Sequence, residues 1–419
     1  MTNPVKYRRV CRLCSSDRLR RFIHFDDVPF FDEVVPAQNA GREFVAPMDV
    51  YWCADCMSAQ SLHDVDIDDY YRGYAYVASS SAFARRYMQY LSDYAFKHFF
   101  LKSGDRVIDI GSADGFQLQC FLAKGAQVLG FEPAGNLAEM SHANGIPVRN
   151  ELFTDDSTKS LSDEFQIVQA VVLLHTFDHL LDPGPILVDI ARILDPERGV
   201  LLLEIHDLEQ ILEKRETALF GHEHAIYLHK ASLARLLKRH GFDVIDIDFV
   251  PAEFCRGSSM TVAAALTGSL HSPVTVEDPD TSFLDQWSTY ESFQAKVDLS
   301  FTRLREYIQD SHRRGERVAG YGGWGRGVTT MAMAGLTSND LVYVLDRNPA
   351  LFGCVTPGTH IPIQSPNLLD AADVREVIVF NYAYLDEIRD ELAGFVGDGG
   401  LITSVLDVIA PEGTRDPLP

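Results

Sequence analysis

From Asp105 to about Val262, strand-length apolar runs alternate with helix-length amphipathic stretches. Residues 107–110, 128–131, 167–174, 200–205 and 242–250 read as strands, and residues 185–194 and 231–239 as helices. This alternation implies a parallel sheet with crossover helices, because parallel neighbours need a long return path. A second strand–glycine loop–helix unit opens at Val318-Ala-Gly-Tyr, with further strands at 341–345, 377–380 and 401–405. The expected fold class is therefore α/β, with a central and a C-terminal Rossmann-like unit. Residues 270–282 are rich in Pro, Ser and acid and read as a linker, and residues 283–314 as one long helix. Tyr87, Tyr90, Leu91 and Tyr94 recur at helical spacing, so residues 83–94 read as a helix before the central unit. Residues 1–65 hold four of the seven cysteines and no convincing long helix. The expected division is 1–65, 66–268 and 283–419, within the two or three domains that 419 residues allow.

The charge balance narrows the partners. There are 37 Lys+Arg against 60 Asp+Glu, a net charge of −23. Binding nucleic acid or an anionic membrane needs a basic face, so neither is expected. No apolar run reaches the roughly 18 residues of a membrane span, and no apolar stretch follows the first residues as a signal peptide would require. Sparse, odd-numbered cysteines point to a reducing cytoplasm rather than a disulfide scaffold.

Cys11-x-x-Cys14 and Cys53-x-x-Cys56 have 38 residues between them. Each pair can aim two thiolates the same way, and four thiolates suit tetrahedral Zn²⁺. All four places are filled by protein, so the zinc is expected to be structural, and a segment of this size needs such a staple.

The first central strand runs into Asp109-Ile-Gly111-Ser112-Ala-Asp114-Gly115 and then a helix. This turn lies at the carboxyl edge of the sheet, where open α/β folds bind cofactors. The loop is not Gly-x-Gly-x-x-Gly, and its acids disfavour a pyrophosphate. They favour a cofactor with a cationic, amino-acid-like end. Glu132 ends the next strand, 23 residues after Asp109, where an acid suits two ribose hydroxyls. The combination matches S-adenosylmethionine, held by Asp109, Gly111, Ser112, Asp114 and Glu132.

The strings Val-Ile-Asp-Ile-Gly-Ser-Ala-Asp-Gly and Val-Leu-Gly-Phe-Glu-Pro-Ala resemble class I methyltransferases. Taken with the cysteine pairs and with Gly320-Tyr-Gly-Gly, Asp346-Arg-Asn-Pro and Thr356-Pro-Gly-Thr-His-Ile-Pro-Ile, nearly the whole chain resembles the three-domain sugar-nucleotide C-methyltransferases of antibiotic biosynthesis. The resemblance implies a dTDP-linked 4-keto-deoxyhexose substrate methylated at C-3, or at C-5 in some members. It also raises a branch, in aureolic-acid pathways, that joins methylation to ketoreduction.

Gly221-His222-Glu223-His224 is a dense titratable cluster, suited to proton abstraction near neutral pH but equally readable as a hydrated loop. The family's Tyr-His-Glu-His places Glu223 and His224 at the reacting carbons. His224 is the expected base and Glu223 its orienting partner. Gly221 departs from the family by replacing the Tyr. The resemblance further implies that Tyr76 and His175 stabilise substrate oxygens and that Ser79 and His222 line the sugar.

Gly320-Tyr-Gly322-Gly323-Trp-Gly-Arg326-Gly resembles a phosphate cradle, with Arg326 as a fixed positive charge. Gly322, Gly323 and Arg326 are expected at the diphosphate. Asp346 follows Gly322 by 24 residues, which is also the dinucleotide pattern. NADPH, with 4-ketoreduction alone or beside methylation, stays open, as does a non-catalytic zinc-ribbon scaffold. A monomer or weak homo-oligomer is expected.

Overall fold

The structure, a computed structural model, describes residues 5–30, 32–65, 77–251, 254, 257–276 and 283–411. A seven-stranded sheet forms its middle. The strand order is Val148–Arg149, Gln127–Phe131, Arg106–Ile110, Ala170–Leu174, Val200–His206, Ser259–Leu266, Phe242–Ile247. Ser259–Leu266 runs antiparallel to both its neighbours, and the other observed pairings are parallel.

The strands read as continuous apolar runs because both faces are covered. Leu201, Leu203 and Ile205 point to a layer with Leu187 and Ile190 of helix Pro183–Ile193 and Leu233 and Leu237 of helix Lys230–Arg239. Val200 and Leu202 point the other way, to Tyr87 and Leu91 of helix Ala82–His98 and Leu118 of helix Phe116–Leu122. Each of these strand side chains is wholly or almost wholly buried, contributing about 1.5–3 kcal/mol of transfer free energy.

The N-terminal segment is more regular than its sequence suggests. Leu19–Pro29, Val45–Cys53 and Ala59–Ser61 form an antiparallel sheet, completed at its edge by Ile226–Tyr227 from beyond the Gly221–His224 segment. Ile226 pairs with Gln60 and Tyr227 with Ala59.

The C-terminal unit is a five-stranded parallel sheet: Ile363–Gln364, Val344–Leu345, Val318–Tyr321, Glu376–Val379, Leu401–Ser404. The expected long helix is divided into Trp287–Glu291 and Phe293–Arg313. The longer piece lays Phe293, Val297 and Phe301 among Phe22, Phe25, Met48 and Val50, so one core joins the first and last units. A short ribbon, Val35–Pro36 with Cys354–Val355, ties them a second time. No helix among the described residues is long and apolar enough to cross a membrane.

Candidate functional site

The four cysteines converge. Cys11 and Cys56 sulfurs lie 3.6 Å apart, as do those of Cys14 and Cys53, and all four are within 4.8 Å of one another. A Zn–S bond of roughly 2.3 Å in a tetrahedron puts sulfurs about 3.8 Å apart, so the cage fits zinc. Two matching turns build it. Ser15 N donates to Cys11 O and Met57 N to Cys53 O, both at 2.9 Å, and Ser15 and Met57 both take positive φ. Gln60 Nε2 donates to Cys11 Sγ at 2.9 Å, as expected for an electron-rich thiolate.

The cofactor loop follows strand Arg106–Ile110. Gly111 has φ 76°, and a Cβ there would meet Thr176 Oγ1 at 2.3 Å, so only glycine passes. Ser112 Oγ and Asp114 Oδ1 are buried without a hydrogen-bond partner among the described residues. Glu132 is tied down: Oε2 accepts from Ala113 N at 2.9 Å and Oε1 from Ala134 N at 2.8 Å. Burial, and then the charges of Glu132 and Asp114, push the Asp109 carboxyl up to about 8. Burial also raises Glu132, against the two amides. Three crowded acids and two orphaned oxygens make a cluster whose charge and unmet hydrogen bonds a cationic ligand would relieve. The residues therefore fit S-adenosylmethionine, whose sulfonium and amino group supply that charge and whose ribose hydroxyls suit Glu132.

The third group of residues sits at the same carboxyl edge. His224 Nδ1 lies 2.8 Å from Leu219 O, and Tyr227 donates to His224 O at 2.9 Å. A carbonyl can only accept, so His224 Nδ1 carries the proton and Nε2 the lone pair. Leu219, not Glu223, orients the ring. Both Glu223 oxygens are buried without a hydrogen-bond partner among the described residues. Burial first, then the charge of Asp32, holds this carboxyl well above the usual range. A Cβ at Gly221 would stand 2.9 Å from Glu223 Oε1, so the glycine leaves this carboxyl its room.

His224 is one of four histidines in contact. Its ring packs edge-on against His179 at 4.7 Å and tilted against His206 at 4.8 Å, and His206 packs against His175 at 4.7 Å. His175 follows strand Ala170–Leu174, and its Nε2 lies 3.1 Å from Glu204 Oε1. His206 Nδ1 is 2.5 Å from Asp178 Oδ2. Asp178, His179 and His206 were not singled out from the sequence. The available signal was positional: Val200–His206 neighbours Ala170–Leu174 in register, so His206 and His175 leave the sheet side by side.

Arg326 reaches this cluster from the C-terminal unit. Nη1 pairs with Glu216 Oε1 at 2.7 Å, and Nη2 lies 3.2 Å from His206 Nε2. The glycine loop itself is closely packed. Asn381 Oδ1 accepts from Gly327 N at 3.1 Å, and a Cβ on Gly322 or Gly323 would meet Asn381 at 2.8 Å or Ile363 at 3.0 Å.

Two expected residues stand apart. His222 turns away from His224: its Nδ1 is 2.9 Å from His63 Nε2 and its Nε2 2.9 Å from Val28 O, between Phe30 and Phe44. It lies between the zinc-bearing segment and the central unit. Ser79 lies in the short turn Ala78–Ser80, and its carbonyl accepts from Arg85. Tyr76 lies outside the described residues.

Comparison with known proteins agrees with this division of labour. Residues 11–71 match a family model described as a zinc binding domain, residues 81–247 a methyltransferase domain, and residues 261–406 a C-methyltransferase C-terminal domain. The C-methyltransferase NovU of Streptomyces niveus is 27% identical over 398 residues, covering 93% of each chain. Among solved structures, an S-adenosylmethionine-dependent methyltransferase from Archaeoglobus fulgidus is 18% identical, covering 43% of this chain and 93% of its own, with TM-score 0.35. The PH0226 protein of Pyrococcus horikoshii is 16% identical, covering 48% and 99%, with TM-score 0.37. With three matches in this order and one relative aligned along 93% of each chain, the chain is similar over almost its full length to C-methyltransferases built from a zinc-binding, a methyltransferase and a C-terminal domain.

Proposed function

We propose that the enzyme methylates C-3 of a dTDP-linked 4-keto-deoxyhexose through an enolate. The observation that carries this reading is His224: a buried imidazole whose Nδ1–H is fixed on Leu219 O, which puts the lone pair on Nε2. Carbon methylation needs that geometry, because the carbon must lose a proton before it can attack. A 4-keto group makes the C-3 proton acidic, and the electron pair moves to the carbonyl oxygen as His224 takes the proton. Glu223, held in its neutral form by burial, donates a hydrogen bond to an oxygen that gains charge. This replaces the orienting role expected for it. His175 and Tyr76 are assigned to substrate oxygens, and Gly322, Gly323 and Arg326 to the diphosphate. Arg326 would exchange Glu216 for a phosphate, since it already reaches the histidine cluster. S-adenosylmethionine supplies the methyl group on a sulfonium centre.

We keep the division at 1–65, 66–268 and 283–419, a cytoplasmic location, and a monomer or weak homo-oligomer as parts of this proposal. The test uses His224→Asn. It should still bind S-adenosylhomocysteine and dTDP, yet lose deuterium exchange at C-3 and methyl transfer together, by about 10²–10⁴ in rate. Normal exchange without methylation moves the base elsewhere, and a full-rate variant removes His224 from the chemistry. Loss of 340 nm absorbance with NADPH and a keto-sugar would instead bring in ketoreduction.

A further inference from the structure

We propose a second metal site, for a divalent first-row transition cation, made by His175, Asp178 and His206 at the carboxyl edge of the central sheet. Each residue offers one ligand atom, and the three atoms lie within 4.8 Å of one another. Among the described residues only the four cysteines make another such group.

The three side chains stand on rigid supports. His175 and His206 leave adjacent paired strands, and Asp178 sits in the short turn Phe177–His179 that follows His175. His175 has φ 49°, the left-handed region that a residue with a Cβ rarely enters. Such a conformation persists only where the surroundings enforce it, and it is typical of sites that hold something.

Two ligand positions are open. His175 Nδ1 and Asp178 Oδ1 are both buried without a hydrogen-bond partner among the described residues, and Asp178 is only 2% exposed. His175 Nε2 lies 3.1 Å from Glu204 Oε1. With the Nε2 proton turned to that carboxylate, the lone pair stands on Nδ1, which is the carboxylate–histidine support that metal-binding imidazoles use and which the proposed site requires. The third position holds a proton between His206 Nδ1 and Asp178 Oδ2, 2.5 Å apart. Cation uptake displaces it, and the proton moves to Nε2 of the same ring.

Two imidazoles and one carboxylate select Mn²⁺, Fe²⁺, Co²⁺, Ni²⁺ or Zn²⁺ over Mg²⁺ and Ca²⁺, which prefer oxygen. Three protein ligands leave coordination positions for water or for substrate oxygens. His206 also touches His224, so the cation would sit beside the proposed base. In that setting, which rests on the function proposed above, it would take the negative charge of the enolate oxygen in place of the direct His175 contact, since both ring nitrogens of His175 are then engaged.

Arg326 opposes the cation. Its Nη2 is 3.2 Å from His206 Nε2. With a metal on Nδ1, Nε2 must carry the proton, so this contact is given up and Arg326 keeps Glu216 alone. Removing Arg326 should therefore tighten the site.

The test titrates the full-length, zinc-loaded chain with Co²⁺ and follows stoichiometry by metal analysis and coordination by visible absorption. One further equivalent is expected, with weak d–d bands and no thiolate charge-transfer. Asp178→Asn and His206→Gln should abolish it, and Glu204→Gln should weaken it by about 10–100-fold. Arg326→Gln should strengthen it. His175→Gln, at a half-buried position, serves if the buried variants do not fold. Absence of a second equivalent, or one that survives these ligand changes, overturns the site. A chain that methylates a keto-sugar while metal analysis finds one equivalent of zinc and no other metal overturns the cation's part in the reaction and spares the function. A chain that takes both metals and transfers no methyl group overturns the function and spares the site.

Discussion

Acid should unfold this protein partly through the pair His63 and His222. Both are almost fully buried, linked by a 2.9 Å hydrogen bond, and His222 also bonds Val28 O. Burial comes first among the causes and lowers His63 to about 3 and His222 to about 4, with Arg12 and the partner ring adding to the effect on His63. In the unfolded chain both titrate near 6.5. The unfolded state therefore binds more protons between those limits, and stability falls as pH drops through 6.5 toward 4 and 3. Above 6.5 the contribution is constant. Between pH 7 and pH 5, linkage makes the cost about 2 kcal/mol per histidine. His222→Gln keeps a donor for Val28 O and removes one titration. Urea unfolding from pH 7.5 to 4.5, compared with the unsubstituted chain, should show a curve flatter by about 2 kcal/mol across pH 7 to 5. The absolute stability of the variant is immaterial, because only the slope is read. Parallel curves would refute the argument, since they would mean that His222 is protonated in the folded state or neutral in neither.

Glu132→Gln should weaken S-adenosylhomocysteine binding by on the order of 1.5–3 kcal/mol while the thermal midpoint moves little, by calorimetry and melting; unchanged affinity would remove Glu132 from the ribose. Cys53→Ser should leave less than one equivalent of zinc and lower solubility, read by metal analysis. It should also depress methyl transfer, since Ile226–Tyr227 is paired with the strand beside that cage.

The sequence carried the central architecture because its signals were local. Apolar runs bounded by glycines and acids marked the strands, and the Cys-x-x-Cys spacing marked the metal cage. Ser259–Leu266 was invisible for the opposite reason. Its Ala263-Ala-Ala interior has weak strand preference, and it is extended only because Val200–His206 and Phe242–Ile247 pair on either side. The N-terminal sheet was missed because its long strands are interrupted by register shifts near Arg21–Ile23 and Phe25–Val28, which break the alternation.

The site was legible one strand end at a time. Asp109, Glu132 and His175 each close an apolar run and stand out. His206 does so too, but its meaning comes from register with a neighbouring strand. His222 stands apart from His224 for a related reason. Neighbours in sequence share a segment, and only the tertiary fold turns His222 and His224 to opposite sides. Likewise Leu219, which holds His224, does so with a backbone carbonyl that no side-chain pattern can announce.

The strand Ile226–Tyr227 has a consequence for how such enzymes can change over time. It begins two residues after His224 but completes the sheet of the cysteine-bearing segment. The two units therefore cannot be exchanged as independent cassettes. A graft that brings a foreign N-terminal segment must also bring a matching edge for residues 226–227, or it leaves the proposed base on an unanchored loop. Recombination boundaries between natural relatives should accordingly fall after residue 227 or near the 270–282 stretch. They should be depleted between the second cysteine pair and Tyr227, even where the chain crosses from one unit to the next.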